Sequence, residues 1–298
     1  MSKNNKSVFN KFCDFLGFIG VSFVFMLSKI IPMCILSTLF AIIAMFLSPF
    51  IPTTYLVLKN LKYTMPQLSF LKRIQVSLMV WYNLGQFVGE YPYIYKMKNN
   101  KIFKYVNIID KQFIEEIKNS KTGNIIFSGH LSNWEVGLRA LRDLGLNINV
   151  VFRESNNPLI EPRYTASLRE KLGIKMIAKQ DNAGIKIVRA IKNNENVIIL
   201  VDQRDSLNGL KINFFNKPAF TNKTIYTLAK KLKVPVYGMR MERIKHFSKF
   251  NLKIEKILQI SETTTENEYL QNINNILEKW IRENISQWFW VHNRWKNR

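Results

Sequence analysis

The residues best suited to chemistry lie in Gly129-His130-Leu131-Ser132-Asn133-Trp134-Glu135. A histidine with a carboxylate nearby is a general base with its support: the carboxylate fixes the tautomer and stabilises the imidazolium. The other ring nitrogen is then free to take a proton from a hydroxyl. A separation of five does not place two side chains on one face of a continuous helix. It fits a loop histidine followed by a helix that Ser132 or Asn133 caps, with Glu135 in the first turn, where the dipole favours an anion. Three histidines and 21 acidic residues in 298 give roughly 0.2 such pairs by chance. The order of strand, glycine, histidine and cap therefore carries more than the spacing does. The alternative is a surface histidine beside a capped helix.

Three further segments carry candidate groups. In Phe152-Arg153-Glu154-Ser155-Asn156-Asn157-Pro158 an arginine directly follows an apolar run, and Asp202-Gln203-Arg204 ends another. A guanidinium at such a position suits a phosphate or carboxylate; the alternative for each is a solvated loop charge. Asn213 to Thr221 (NFFNKPAFT) reads as a rigid aromatic turn before a helix, with Phe214 and Phe215 either lining an apolar channel or packed in the core. The closing Ser286 to Lys296 (SQWFWVHNRWK) mixes three tryptophans with basic groups. That composition suits a membrane–water interface and also nucleic-acid stacking. There is no GxSxG elbow, P-loop or GxGxxG, so serine hydrolysis, nucleotide hydrolysis and dinucleotide redox chemistry lack support. Two cysteines without a Cys/His cluster give neither a disulfide framework nor a metal site.

The elements that must position these residues follow from the apolar pattern. Short runs at 124–128, 147–152, 175–178, 197–202 and 234–240 read as strands, separated by helical stretches at 133–144, 158–172, 182–193 and 222–233. Continuous Val/Ile runs alternating with helices imply an α/β fold, a largely parallel central sheet flanked by helices. Its chemistry belongs at the carboxyl ends of the strands, where His130, Arg153 and Arg204 all stand. Upstream, the uncharged stretches Phe15–Leu27 and Ile30–Ile51 are separated by Lys29, and the second is long enough to span a bilayer. The expected organisation is an N-terminal membrane anchor over 1–58 and a catalytic domain over 59–298, led in by an amphipathic helix at 68–90. The alternative for the first segment is a buried hairpin of two core helices.

Charge narrows the partner. With 44 basic and 21 acidic residues the net charge is +23, which expects a polyanion: nucleic acid, or an anionic membrane and the acidic molecules beside it. The motifs GHLSNWE, FRESNNP, VDQR with FFNKPAFT, and QWFWVHNRWK, together with the apolar N-terminus and NLKYTMPQLS (Asn60–Ser69), resemble the lipid A biosynthesis acyltransferase family of the lysophospholipid acyltransferase superfamily, over nearly the whole chain. The resemblance implies transfer of a fatty acyl chain from an acyl-carrier protein thioester to a hydroxyl of a Kdo-bearing lipid A precursor. It implies no other cofactor, no metal and no nucleic acid. It also implies His130 and Glu135 as the catalytic pair, with Arg153 and Arg204 on anionic substrate groups. Asn133, Asp202, Phe214, Phe215 and Thr221 complete the expected substrate positions. The carrier is cytosolic, so the catalytic domain is expected at the cytoplasmic face of the bacterial inner membrane, in keeping with Lys59 and Lys62 flanking the anchor. One departure is Asn216, where the family more often has glycine; Asn tolerates the left-handed backbone that glycine would take. The rival expectations are acylation of another lipid, a glycerophospholipid or glycolipid, and a membrane-tethered basic protein without chemistry.

Overall fold

The computed structural model of the chain describes residues 7–153, 157–179, 182–206, 209–245, 248–257 and 260–296. Glu154, Ser155 and Asn156 of the FRESNNP motif lie outside these. A seven-stranded sheet runs in the order β1 (Val106–Ile108), β9 (Lys249–Lys256), β8 (Val236–Lys245), β2 (Ile125–Ser128), β5 (Asn196–Leu200), β3 (Ile148–Phe152) and β4 (Lys175–Ala178). Every neighbouring pair is parallel except β8 and β9.

Both faces of the sheet are buried, which is why its central strands are unbroken apolar runs. Ile125, Phe127, Val197 and Ile199 face one core, built with α8 (Ala183–Lys192), α9 (Thr224–Leu232) and α10 (Glu266–Glu283). Ile126, Val150, Ile198 and Met239 face the other, with α5 (Lys111–Lys118) and α6 (Trp134–Asp143). The 158–172 stretch forms a π-turn at Glu161–Thr165 and the short helix α7 (Ala166–Lys171) rather than one helix. The polar stretch at Ser261–Glu268 contains the start of α10, with a capping box between Thr265 and Glu268.

The aromatic turn is a hairpin. β6 (Leu210–Phe214) pairs antiparallel with β7 (Lys217–Thr221), and Phe215 and Asn216 between them have φ of 56° and 54°. Two positive φ values make the two-residue turn that matches strand twist, and Asn216 serves there as glycine would.

Four helices precede the sheet: α1 (Val8–Leu27), α2 (Met33–Leu47), α3 (Pro52–Thr64) and α4 (Phe70–Lys96). The expected lead-in helix at 68–90 is α4, which starts two residues later, ends six residues later and contains Pro92. Pro32 caps α2 and Pro52 opens α3, so proline marks both boundaries. Phe9–Leu27 and Met33–Phe50 are each long and apolar enough to cross a membrane. They are not a detached tether. Gly85 and Gly89 of α4 meet the α2 backbone so closely that an added Cβ would lie 2.2 Å from Phe40 O and 2.6 Å from Ser37 Cα. The α1 helix rests on the segment before α7, where Tyr164 Oη donates to Ser22 Oγ (2.9 Å) and Asn157 Nδ2 to Asp14 O (2.8 Å).

Candidate active site

β2 and β5 are neighbours in parallel, with Ser128 opposite Leu200. Two residues beyond each strand end the same register brings His130 beside Asp202. His130 Nδ1 lies 2.8 Å from Asp202 Oδ1, and the His130 backbone N–H donates to Oδ2 at 2.8 Å. Trp288 Nε1, from the C-terminal tail, also donates to Oδ2 at 2.8 Å. Burial alone would raise the Asp202 pKa. The charge and hydrogen bonds of His130 and the indole N–H outweigh it and bring the carboxyl down to about 2. A carboxylate on Nδ1 makes that nitrogen the protonated one, which leaves the Nε2 lone pair as the base. Nε2 faces the Gln203 amide at 3.4 Å and an open cavity.

The tail also shapes the loop that carries the histidine. Ser132, with φ 52°, donates its N–H to Gln287 O (2.6 Å), and Phe289 N–H donates to His130 O (3.0 Å). The polar loop after β5 is gripped likewise: Arg204 N–H donates to His292 Nε2 (3.0 Å) and Arg294 Nη1 to Gln203 O (3.0 Å). Burial pushes the His292 pKa down to about 4, so its ring is a neutral acceptor.

The cavity in front of His130 measures about 450 Å3. Phe87, Trp134, Leu138, Val150, Ile198 and Met239 give it apolar walls, and its polar groups include Arg153, Arg169, Lys179, Glu135, Glu161 and Gln203. Trp134 stacks on Phe87 (4.5 Å between centroids) and meets the His130 ring edge-on at 4.8 Å. Trp134 and Glu135 are also the first residues of α6, whose opening amides have no partner within the helix. The site therefore combines a candidate base, an apolar slot and a helix N-terminus.

The chain matches the bacterial lipid A biosynthesis acyltransferase family over residues 3–297. It belongs to that family. It is similar to a lipid A biosynthesis palmitoleoyltransferase of Escherichia coli strain K12, at 26% identity over 243 residues, 80% of this chain and 78% of the relative. It is equally similar to a lipid A biosynthesis acyltransferase of Shigella flexneri, again 26% over 243 residues, 80% and 78%. One from Haemophilus influenzae is 22% identical over 245 residues, 80% and 76%. The protein is an acyltransferase, and lipid A biosynthesis is its setting.

Within this acyltransferase the expected residues part company. Glu135 does not hold His130. Buried in the first turn of α6, it pairs with Arg169, whose Nε donates to Oε2 at 3.2 Å, and accepts from the Tyr95 hydroxyl. Burial first, and then the Glu135 charge, raise the Tyr95 pKa well above its usual value. Arg153 is exposed at the cavity rim, whereas Arg204 lines a separate cleft. Phe214 and Phe215, read as substrate positions, are buried core residues: their rings pack against Trp288, Trp290 and Trp295. Thr221 is also internal, its Oγ1 accepting from Arg294 Nη2 (2.8 Å) and Asn274 Nδ2 (3.1 Å).

Asn133 takes the cap position without a side-chain cap bond; its Nδ2 donates instead to Glu90 Oε2 at 2.8 Å. Glu90 was missed from sequence. It is buried and gripped by Arg243 through Nη1 and Nη2 (2.6 and 2.9 Å), by Ser248 (2.5 Å) and by Ser37 of α2 (3.1 Å). Burial would raise its pKa, and Arg243 with these hydrogen bonds reverses the shift. A signal existed: Glu90 is the only acidic residue between Asp14 and Asp110.

Proposed function

We propose that this protein moves a fatty acyl chain from an acyl-carrier protein thioester to a hydroxyl of a Kdo-bearing lipid A precursor, with His130 as general base. The observation that carries the reading is the His130–Asp202 pair, which leaves Nε2 facing an apolar cavity. The acyl chain occupies that cavity with its thioester carbonyl beside His130. Nε2 takes the acceptor's hydroxyl proton as the oxygen forms its bond to the carbonyl carbon. The developing oxyanion is stabilised by the amides that open α6. Collapse breaks the C–S bond, and the imidazolium returns the proton to the departing thiolate, so charge and protons balance. Asp202, ionised and already hydrogen-bonded, takes the supporting role that the sequence assigned to Glu135. No metal or further cofactor enters these steps.

Residues 1–58 attach the enzyme to the inner membrane, and 59–298 form the acyltransferase domain on the cytoplasmic face. The exposed apolar sides of α1 and α2 support this, with Phe50, Phe70 and Leu71 exposed at the ends of neighbouring elements. The +23 charge suits both an anionic leaflet and an acidic carrier. Two measurements test the proposal. Purified full-length protein with acyl-carrier thioester and Kdo-lipid A precursor is expected to give an acylated product by mass spectrometry, and His130→Ala is expected to give none. A His130→Ala protein of near-wild-type turnover overturns the base. Wild-type protein is expected to stay with membranes through a high-salt wash, which removes electrostatic binders only; release by salt alone overturns the anchor.

A further inference from the structure

Away from the His130 cavity, α4 lines a second pocket, of about 430 Å3, opposite the Ser48–Phe50 turn and the start of α3. Pro49, Ile51, Ile74 and Leu78 make its walls largely apolar. Among the described residues the two spaces share no lining. Phe87, where α4 meets the His130 cavity, stands ten residues beyond Ser77, about 15 Å along the helix. Phe50 and Tyr55 on the pocket wall are exposed, and so are Phe70 and Leu71 at the head of α4. Apolar surface gathered in this way around an open pocket suits a bilayer rather than water.

One buried polar group in the pocket is unused. Ser48 Oγ donates to Met45 O (2.7 Å) and Thr54 Oγ1 to Ser48 O, so both hydroxyls are spent on backbone. Ser77 is 3% exposed, and its Oγ has no hydrogen-bond partner among the described residues. A helical serine facing no solvent can satisfy itself on the carbonyl four residues back, and Ser77 does not. Arg73 Nε, one turn before it, and Trp81 Nε1, one turn after, are buried and unpartnered in the same way. Positions 73, 77 and 81 follow one face of α4, so three donors stand in a row with nothing to accept from them. An unmade hydrogen bond from a buried donor is costly, and more so for a charged guanidinium. No carboxylate is close in sequence: residues 15–89 hold five basic residues and no acidic one. The row therefore calls for acceptor oxygens, an anionic one among them, on a molecule whose remainder is apolar.

We propose that this pocket seats a resident glycerophospholipid of the bilayer, distinct from the acyl donor and from the acceptor. The end of one acyl chain enters between the turn and α4, an ester carbonyl accepts from Ser77 Oγ, and the phosphate accepts from Arg73. Such a lipid fills an open apolar space, satisfies two orphan donors and ties the turn between α2 and α3 to α4. The proposal rests on the reading of residues 1–58 as the membrane attachment.

The test uses full-length protein in dodecyl maltoside micelles, with phosphatidylglycerol brominated on its acyl chains as the probe and tryptophan fluorescence as the readout. Bromine quenches an indole only at short range, and Trp81 lies one turn from Ser77. Wild type is expected to show saturable quenching that Trp81→Phe largely abolishes. The Arg73→Ala/Ser77→Ala double variant is expected to bind the probe about tenfold more weakly or worse, with an unchanged thermal midpoint. Tyr55→Ala removes an exposed wall residue without touching the helix packing, and it is expected to weaken binding in the same direction. Wild-type affinity in both variants overturns the site. So does quenching that never saturates, because that reports bulk lipid around the protein. Quenching retained in Trp81→Phe and lost in Trp134→Phe puts the lipid in the His130 cavity and overturns the proposal. Displacement of the probe by a Kdo-lipid A precursor, with a raised acceptor KM in the double variant, assigns the pocket to the acceptor and overturns it too. Release of wild type from membranes by salt defeats the anchor reading alone, since the quenching is measured in micelles.

Discussion

Two buried carboxylates, Asp202 and Glu135, compete for the role of supporting His130, and isosteric variants at the two positions separate what each does. Asp202→Asn is expected to lower kcat by a large factor with little change in KM, because the amide no longer holds the correct tautomer or supports the imidazolium. Glu135→Gln removes one partner of a buried ion pair and leaves Arg169 uncompensated, so the main expectation is lost stability of about 3 kcal/mol. Chemical denaturation alongside kinetics distinguishes them. A fully stable Glu135→Gln protein with collapsed kcat would return Glu135 to the catalytic role. The same contrast marks how far single residues were legible in the sequence. His130 stands out through strand, glycine and cap, all local signals. Its partner does not, because Asp202 is 72 positions away and is brought alongside only by the register of β2 against β5. Glu135 is the nearest acid in sequence, but the turn into α6 sends it towards Arg169 instead.

Among elements, the buried parallel strands and the helices between them were readable because continuous Val/Ile runs bounded by helical stretches fit a sheet covered on both faces. The β8–β9 ribbon was less readable, since KFNLKIEK alternates polar and apolar residues and pairs antiparallel beside an otherwise parallel block. The C-terminal tail misleads most. Its tryptophans look interfacial, but Trp288, Trp290 and Trp295 are buried, and each indole N–H finds an acceptor in Asp202, Ile285 O or Phe214 O. A buried tryptophan needs such a partner, and composition does not reveal one. The tail is a clamp on the loops that carry His130 and Asp202, and His292 makes part of that clamp sensitive to pH. Its pKa is about 4 in the folded protein against an ordinary 6.5. Between those values the unfolded chain binds more protons than the folded one, so this contribution is complete above pH 6.5 and is lost as pH falls towards 4. His292→Gln keeps an acceptor for the Arg204 N–H and cannot titrate. On going from about pH 7.5 to about pH 5, the thermal midpoint is expected to drop further in wild type than in His292→Gln; equal drops would remove His292 from the account.

The whole molecule joins its apolar N-terminus to the candidate active site through one buried polar cluster. Glu90 links Ser37 of α2, Asn133 at the start of α6, and Arg243 of β8. Such a cluster is stable only while every partner is present, because an uncompensated charge in that setting costs several kcal/mol. Truncation before α3 would therefore strip α2 from this cluster as well as remove the proposed anchor. The contact that keeps α2 in place is the glycine pair on α4. An Ala Cβ at position 85 would sit 2.2 Å from a backbone oxygen and 2.6 Å from Ala41 Cα, and neither atom belongs to a flexible side chain that could swing away. The helices must separate, which loosens Ser37 from Glu90 as well. Gly85→Ala is expected to cost about 2 kcal/mol or more by overpacking, despite alanine's better helix propensity. Gly184 in α8 gives the opposite case: an added Cβ meets nothing within 4 Å, and Gly184→Ala is expected to stabilise by about 0.4–1 kcal/mol. Thermal unfolding of both variants in the same detergent measures the contrast. If Gly85→Ala melted with or above wild type, α2 would have to be a loosely held tether, and the Glu90 cluster could not depend on it.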